Sequence, residues 1–186
     1  KPQTTRSKIL GILTRPGVQF LLLDTPGLHE AARALNLALN AIAEGVADDC
    51  DVALLLVDPR SGWDAGLEAL RAHLAAKGTP VVVAATKADQ GGARPAQCEL
   101  SISAESGAGV EELLARLAPL LPESPPHYDA EQVTDRTLRF LAAEEIRQAI
   151  FEELEEELPY STAVEIDSFD ESKPDGVRIR ATLWVE

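Results

Sequence analysis

Val81-Val82-Val83-Ala84-Ala85-Thr86-Lys87-Ala88-Asp89 decides how this chain is read. Five apolar residues in a row, with no polar alternation, mark a strand buried on both faces. The polar residues that follow at once sit where such a strand ends. Val52–Val57 is a second run of the same kind. Between the two lies Asp64–Ala76, whose pattern predicts a helix closed by Lys77-Gly78, with Pro80 just beyond. Strand, helix, strand is the unit of a parallel sheet. It repeats in weaker form as a short strand at Leu100–Ile102 and a helix at Val110–Leu120. The expected fold is α/β: a mostly parallel sheet with helices on both faces and its functional loops at the carboxyl ends of the strands.

Working outward, Lys8–Thr14 and Val18–Leu23 read as strands joined by a turn at Arg15-Pro16-Gly17, an antiparallel hairpin. Asp24-Thr25-Pro26-Gly27 breaks the second strand, and Leu35–Ala47 reads as a helix. Clustered prolines across 122–129 stop the preceding helix and suggest a linker. A long helix over Arg136–Leu158 follows. Thr162–Phe169 and Val177–Glu186 alternate cleanly, with a loop expected at Asp170–Gly176. Val177, Ile179, Ala181, Leu183 and Val185 share one face; Arg178, Arg180, Thr182 and Trp184 share the other. The expected organisation is a first domain over 1–121, a linker over 122–135 and a partial α+β domain over 136–186. One helix and two strands are too little for a self-sufficient domain.

Composition bounds the possibilities. Of 186 residues, 45% are hydrophobic and 26% charged, enough for one good core and a small appended module. No apolar run reaches bilayer length and no signal-peptide pattern opens the chain. Cys50 and Cys98 have no metal spacing and read as reduced thiols of a cytoplasmic protein. Net charge is −14 and uneven: residues 1–121 carry 11 basic and 14 acidic groups, residues 122–186 carry 6 and 17. Such a chain repels phosphate backbones and anionic lipid at long range.

Three loop motifs carry chemistry. In Asp24-Thr25-Pro26-Gly27, an aspartate at a strand end can hold magnesium through water, and the glycine lets a backbone N–H approach a terminal phosphate. Alone, this is equally a plain β-turn. In Thr86-Lys87-Ala88-Asp89, a carboxylate can accept both the ring N–H and the exocyclic amine of guanine, a pairing that adenine does not offer. The Lys87 stem can lie along the base. In Ser103-Ala104-Glu105, a small-residue loop could offer a backbone N–H to the guanine carbonyl. Each motif has a bland reading, but all three fall at expected strand ends, in the order and spacing of one nucleotide site.

DTPG, then TKAD, then SAESG resembles the signature of the Era/TrmE-type GTPase family. Lys1-Pro-Gln-Thr-Thr-Arg6 is similar to the first switch of the Era branch, and Asp24-Thr-Pro-Gly-Leu-His29 to its second. Thr134–Phe140 with Ala142–Arg147 resembles its interdomain helix. Leu158–Ser161 with Ala163–Ile166 resembles the first strand of its KH-type RNA-binding domain. The resemblance implies a P-loop GTPase-type sheet followed by a partial KH-like domain. It also implies binding of GTP and GDP and hydrolysis of GTP, with nucleotide contacts from Asp24, Thr25, Pro26, Gly27, Leu28, Thr86, Lys87, Ala88, Asp89, Ser103, Ala104 and Glu105. Mg²⁺ would be reached from Thr5 and, through water, from Asp24. Implied partners are small-subunit ribosomal RNA and the pre-30S particle, not DNA. The implied location is cytoplasmic, or peripheral at the inner membrane.

The sequence also departs from that pattern. It contains no G-x-x-x-x-G-K-[ST] phosphate-cradling loop and no GxxG nucleic-acid clamp. Thr86 stands where the branch usually has asparagine. Only 13 residues separate Asp89 from Ser103, where the family normally places a helix; missing residues are the expected reason. Leu28 occupies the place of a water-orienting glutamine in many small GTPases and cannot orient water. No residue is assigned as a general base, and His29, beside a turn, reads as a structural or surface residue. The chain by itself is expected to bind GTP weakly and not to hydrolyse it. Two other readings stay open: a non-catalytic interaction fragment that kept the fold, or another Era/TrmE-type GTPase, such as a tRNA-modification or double-domain member.

Overall fold

The computed structural model describes residues 10–23, 50–153, 162–173 and 176–185. The chain divides into two compact units: Gly27–His127, and Lys1–Pro26 together with Tyr128–Glu186. The expected helix at Leu35–Ala47 lies outside the described residues.

In the first unit β3 (Ala53–Val57), β4 (Val81–Ala85) and β5 (Leu100–Ser101) form a parallel sheet in the order β3-β4-β5. Helix α1 (Ala65–Ala76) joins β3 to β4. It starts where the sequence signals: the Asp64 carboxylate accepts the Leu67 N–H at 2.8 Å, satisfying one of the donors that a helix start leaves open. It ends at Gly78, whose φ of 83° is the left-handed conformation that only glycine adopts without strain. Ala53, Leu55 and Val57 present one face of β3 and pack with Val83, Ala85, Leu70, Leu74 and Cys98 into one core. Val82 and Ala84, on the other face of β4, are buried as well, so β4 is covered on both sides as its unbroken apolar run implies. Fourteen residues connect β4 to β5 and contain a three-residue 3-10 turn, Ala88–Gln90, but no α-helix. Helix α2 (Val110–Leu117) buries Leu113, Leu114 and Leu117 and runs on as a 3-10 turn through Leu120.

In the second unit β1 (Leu10–Arg15) and β2 (Val18–Leu23) form the expected antiparallel hairpin, closed by Pro16-Gly17 with Gly17 at φ 81°. Proline followed by a residue of positive φ is the combination a type II turn uses. Ile12 and Phe20 are buried. Residues 128–134 run beside β1: the Ile12 N–H donates to the Val133 carbonyl at 2.8 Å, and Gly11 bridges Thr134. The Gln19 amide pairs with the Tyr128 backbone in both directions, at 2.9 and 3.0 Å.

Helix α3 (Leu138–Glu153) begins after Thr137, whose hydroxyl accepts the Phe140 N–H at 3.2 Å. The Arg139 guanidinium donates to the Ile166 carbonyl, and the buried Arg147 is paired with Glu144. β6 (Thr162–Lys173) and β7 (Gly176–Val185) are antiparallel. They run further than their alternation predicts: pairing extends to Lys173 and Gly176, so most of the expected loop at Asp170–Gly176 is strand. The ladder there sets Asp170 opposite Arg178 and Lys173 opposite Gly176, with register shifts between Ile166 and Ser168 and between Asp170 and Lys173.

Candidate functional site

The parallel register sets Val57 opposite Ala85 and Ala85 opposite Ser101. The residues that leave β3, β4 and β5 therefore emerge side by side. Asp58 follows β3, Thr86 to Asp89 follow β4, and Ser103 to Glu105 follow β5 by one residue.

Backbone hydrogen bonds lock these loops together. The Thr86 N–H donates to the Val57 carbonyl at 2.8 Å, and its hydroxyl reaches the same oxygen at 3.3 Å. The hydroxyl thus braces the end of β3. The Ile102 N–H donates to Ala85 at 2.7 Å, and the Ala88 N–H donates back to Ile102 at 3.0 Å. The TKAD loop and the loop after β5 are one hydrogen-bonded body.

Ser103 is fully buried and organises its own loop. Its carbonyl accepts from Gly107 at 2.9 Å, its N–H donates to Ala108 at 2.9 Å, and its hydroxyl accepts the Ser106 N–H at 3.1 Å. Ala104 and Glu105 are left exposed at the crest. Gly109 closes the loop at φ 73°, and a Cβ there would lie 2.2 Å from the Ser101 carbonyl oxygen. Here glycine is required both for conformation and for space.

Lys87 takes φ 55°, the one positive φ among the described non-glycine residues. Its ammonium lies 2.6 Å from the Asp58 carboxylate, so its stem spans the rims of β3 and β4. That ammonium, bonded to Asp58, holds the carboxyl below its ordinary value of 3.8, helped by the Arg60 N–H on the other carboxylate oxygen at 2.9 Å. Asp89 is exposed in the 3-10 turn and forms no ion pair or side-chain hydrogen bond among the described residues. The rim thus offers a free carboxylate, a lysine stem and a small-residue loop within one rigid frame. That set can accept two N–H groups and donate to one carbonyl of a planar base.

The structure brings together Thr86, Lys87, Ala88, Asp89, Ser103, Ala104 and Glu105. Asp24, Thr25, Pro26, Gly27, Leu28 and Thr5 lie outside the described residues, and with them the expected phosphate and Mg²⁺ contacts. No cluster of three or more His, Cys, Asp or Glu that could hold a metal occurs among the described residues. A cavity of about 490 Å³ sits at the opposite, amino-terminal end of β4, lined by residues that include Arg71, Thr79 and Val81, away from these loops. Asp58 and Gly109 were not singled out in the sequence. The available signal for Asp58 was positional: it is the first polar residue after a buried strand, as Thr86 is.

Comparison with known proteins follows the same line. A family model described as 50S ribosome-binding GTPase matches residues 1–87. GTPase Era of Stenotrophomonas maltophilia (strain R551-3) is 39% identical over 203 aligned residues, covering all of this chain and 67% of that protein. GTPase Era of Xylella fastidiosa (strain M12) is 38% identical over 202, with the same coverage. A crystal structure of Era in complex with MgGDPNP and nucleotides 1506–1542 of 16S ribosomal RNA matches at TM-score 0.79 and 30% identity, over all of this chain and 68% of that one. An Aquifex aeolicus Era variant bound to GDP.AlF4- matches at TM-score 0.79 and 29% identity. Identity at this level spans both the strand-end loops and the helix and hairpin of residues 134–185, the part that relatives with only a shared GTPase fold would not match, and so the chain belongs to the GTPase Era family.

Proposed function

We propose that this chain carries the guanine-reading part of an Era-type GTPase, which binds GTP and GDP with Mg²⁺, hydrolyses GTP and acts with small-subunit ribosomal RNA in assembly of the 30S subunit. One observation carries the reading of the base site. Asp89 has no side-chain partner among the described residues, while the Ala88 N–H beside it donates to Ile102, just past β5. Two N–H groups of guanine fit the Asp89 carboxylate, Lys87 flanks the ring, and the backbone at Ala104 faces the base carbonyl. The loop Asp24–Leu28 would serve the terminal phosphate, with Thr5 and water held by Asp24 serving Mg²⁺.

The 186 residues include no phosphate-cradling sequence, so their own affinity rests on the base contacts and is weak. RNA binding by residues 122–186, with a net charge of −11, is weak for the same kind of reason: this surface does not neutralise phosphates. No helix among the described residues is long and apolar enough to cross a membrane. A cytoplasmic location, peripheral to the inner membrane at most, rests on the likeness to GTPase Era.

The test is a titration followed by amide NMR, with GDP and ADP in parallel at millimolar concentration. GDP is expected to shift Ala88, Asp89, Ser103 and Ala104, and ADP to leave them unmoved. Equal responses to both nucleotides would remove the guanine reading. Filter binding with the 3′ end of small-subunit ribosomal RNA at moderate salt is expected to be weak for this chain, and tight specific binding would contradict that expectation.

A further inference from the structure

We infer that Asp58 is a positioning residue for base recognition: it holds the Lys87 ammonium at the rim of β3 and so keeps it off Asp89. The inference rests on the guanine reading proposed above and adds to it a residue outside the three motifs.

Lys87 has two carboxylates near its place in the chain, Asp58 across the rim and Asp89 two residues on. The structure assigns the ammonium to Asp58, at 2.6 Å. Asp89 keeps both oxygens open among the described residues. An ammonium on Asp89 would occupy the lone pairs that guanine N–H groups need. With Lys87 drawn to Asp58, its four-carbon stem is laid across the gap between two strand ends, where it forms a wall for a planar ring.

Asp58 is itself fixed. One carboxylate oxygen accepts the Arg60 N–H at 2.9 Å and the other accepts from Lys87. Its carbonyl closes the following turn, accepting from Ser61 at 3.0 Å and Gly62 at 3.1 Å. The Asp58 side chain is 23% exposed and that of Lys87 45%, so water screens the pair only in part. These divided roles make Asp58→Asn a clean probe: the amide oxygen still accepts from Arg60, while the NH₂ group cannot accept from Lys87.

The experiment is a double-variant cycle on the full 186-residue chain, with GDP affinity read from the amide shifts of the two loops. Asp58→Asn should keep the unfolding midpoint and weaken GDP about three- to fivefold. In a Lys87→Met background the same substitution should have no effect, because no ammonium remains to fall on Asp89. A purely structural role would persist in that background. Unchanged GDP affinity in Asp58→Asn, or the same loss with and without Lys87, overturns the inference and leaves the guanine reading intact. Absence of any GDP-specific shift in the unsubstituted chain overturns the guanine reading, and this inference with it.

Discussion

The β3-β4-β5 sheet is built on unbroken apolar runs and the β6-β7 hairpin on strands that mix apolar and polar residues, and the two are held differently. β4 is buried along Val82 to Ala85, and the loops leaving its carboxyl end are cross-linked by backbone hydrogen bonds. On β7 the apolar row is half-open: Val177 is 46% exposed, Ile179 40% and Leu183 49%, while on β6 Ile166 is buried. Polar pairs decorate the hairpin's other face, with Thr182 on Asp167 at 2.9 Å and the Trp184 indole on Glu165 at 3.1 Å. A parallel strand covered on both faces has no freedom to shift, so it can present loops at fixed positions. A hairpin covered on part of one face is held mainly by its ladder, and its side chains contribute little each.

That contrast is open to direct attack. Each unit holds one tryptophan, Trp63 or Trp184, so Trp184→Phe and Trp63→Phe backgrounds let urea unfolding be followed in each. The largest loss is expected for Leu74→Ala, which empties a site with no solvent exposure, at about 2–5 kcal/mol. Gly109→Ala comes next. Its φ alone costs about 1–3 kcal/mol, and the approach to the Ser101 carbonyl adds to that. Its loss should appear in the Trp63 signal together with shifted Ser103 and Ala104 amides. Leu183→Ser on the open face of β7 should change the Trp184 midpoint by no more than about 0.5 kcal/mol. A loss as large as that of Leu74→Ala would mean that the hairpin face is as tightly packed as the sheet.

Two smaller effects concern titration. Burial pushes the Cys98 thiol above its ordinary value, so labelling by a disulfide reagent should be slow at neutral pH and speed up in mild urea. Asp58 is depressed by Lys87, and the sign follows. Its pair is intact above the ordinary carboxylate value of 3.8 and is lost as pH falls through the lower, folded value. Carboxyl NMR should place the midpoint below 3.8 in the native chain and raise it in Lys87→Met.

Much of this was legible in the sequence, for physical reasons that differ by region. β4 and α1 were readable because burial on both faces leaves an unbroken apolar run, and Asp64 and Gly78 carry capping chemistry. The TKAD loop was readable because polar residues follow at once on an unbroken apolar run. The ends of β6 and β7 were not, because Asp170 and Lys173 join the ladder through their backbone, with no apolar alternation to mark them. Asp58 was missed because an aspartate before a proline looks like an ordinary turn. Its contact with Lys87 spans 29 positions and exists only once the two strands are in register. The buried bracing role of Ser103, through its backbone and its hydroxyl to Ser106, is local to its loop and leaves no mark in the sequence pattern.

The central claim is that the rim of β4 and β5 reads guanine through Asp89. The most direct measurement is calorimetric or NMR titration of the unsubstituted chain and of Asp89→Asn with GDP and with xanthosine diphosphate. Asparagine offers an amide donor to the xanthine carbonyl where aspartate offers only acceptors. The expected result is a loss of about 1.5–3 kcal/mol for GDP in the variant, with xanthosine diphosphate becoming the preferred ligand. Equal GDP binding by the two proteins, or the same preference in both, would show that Asp89 does not read the base.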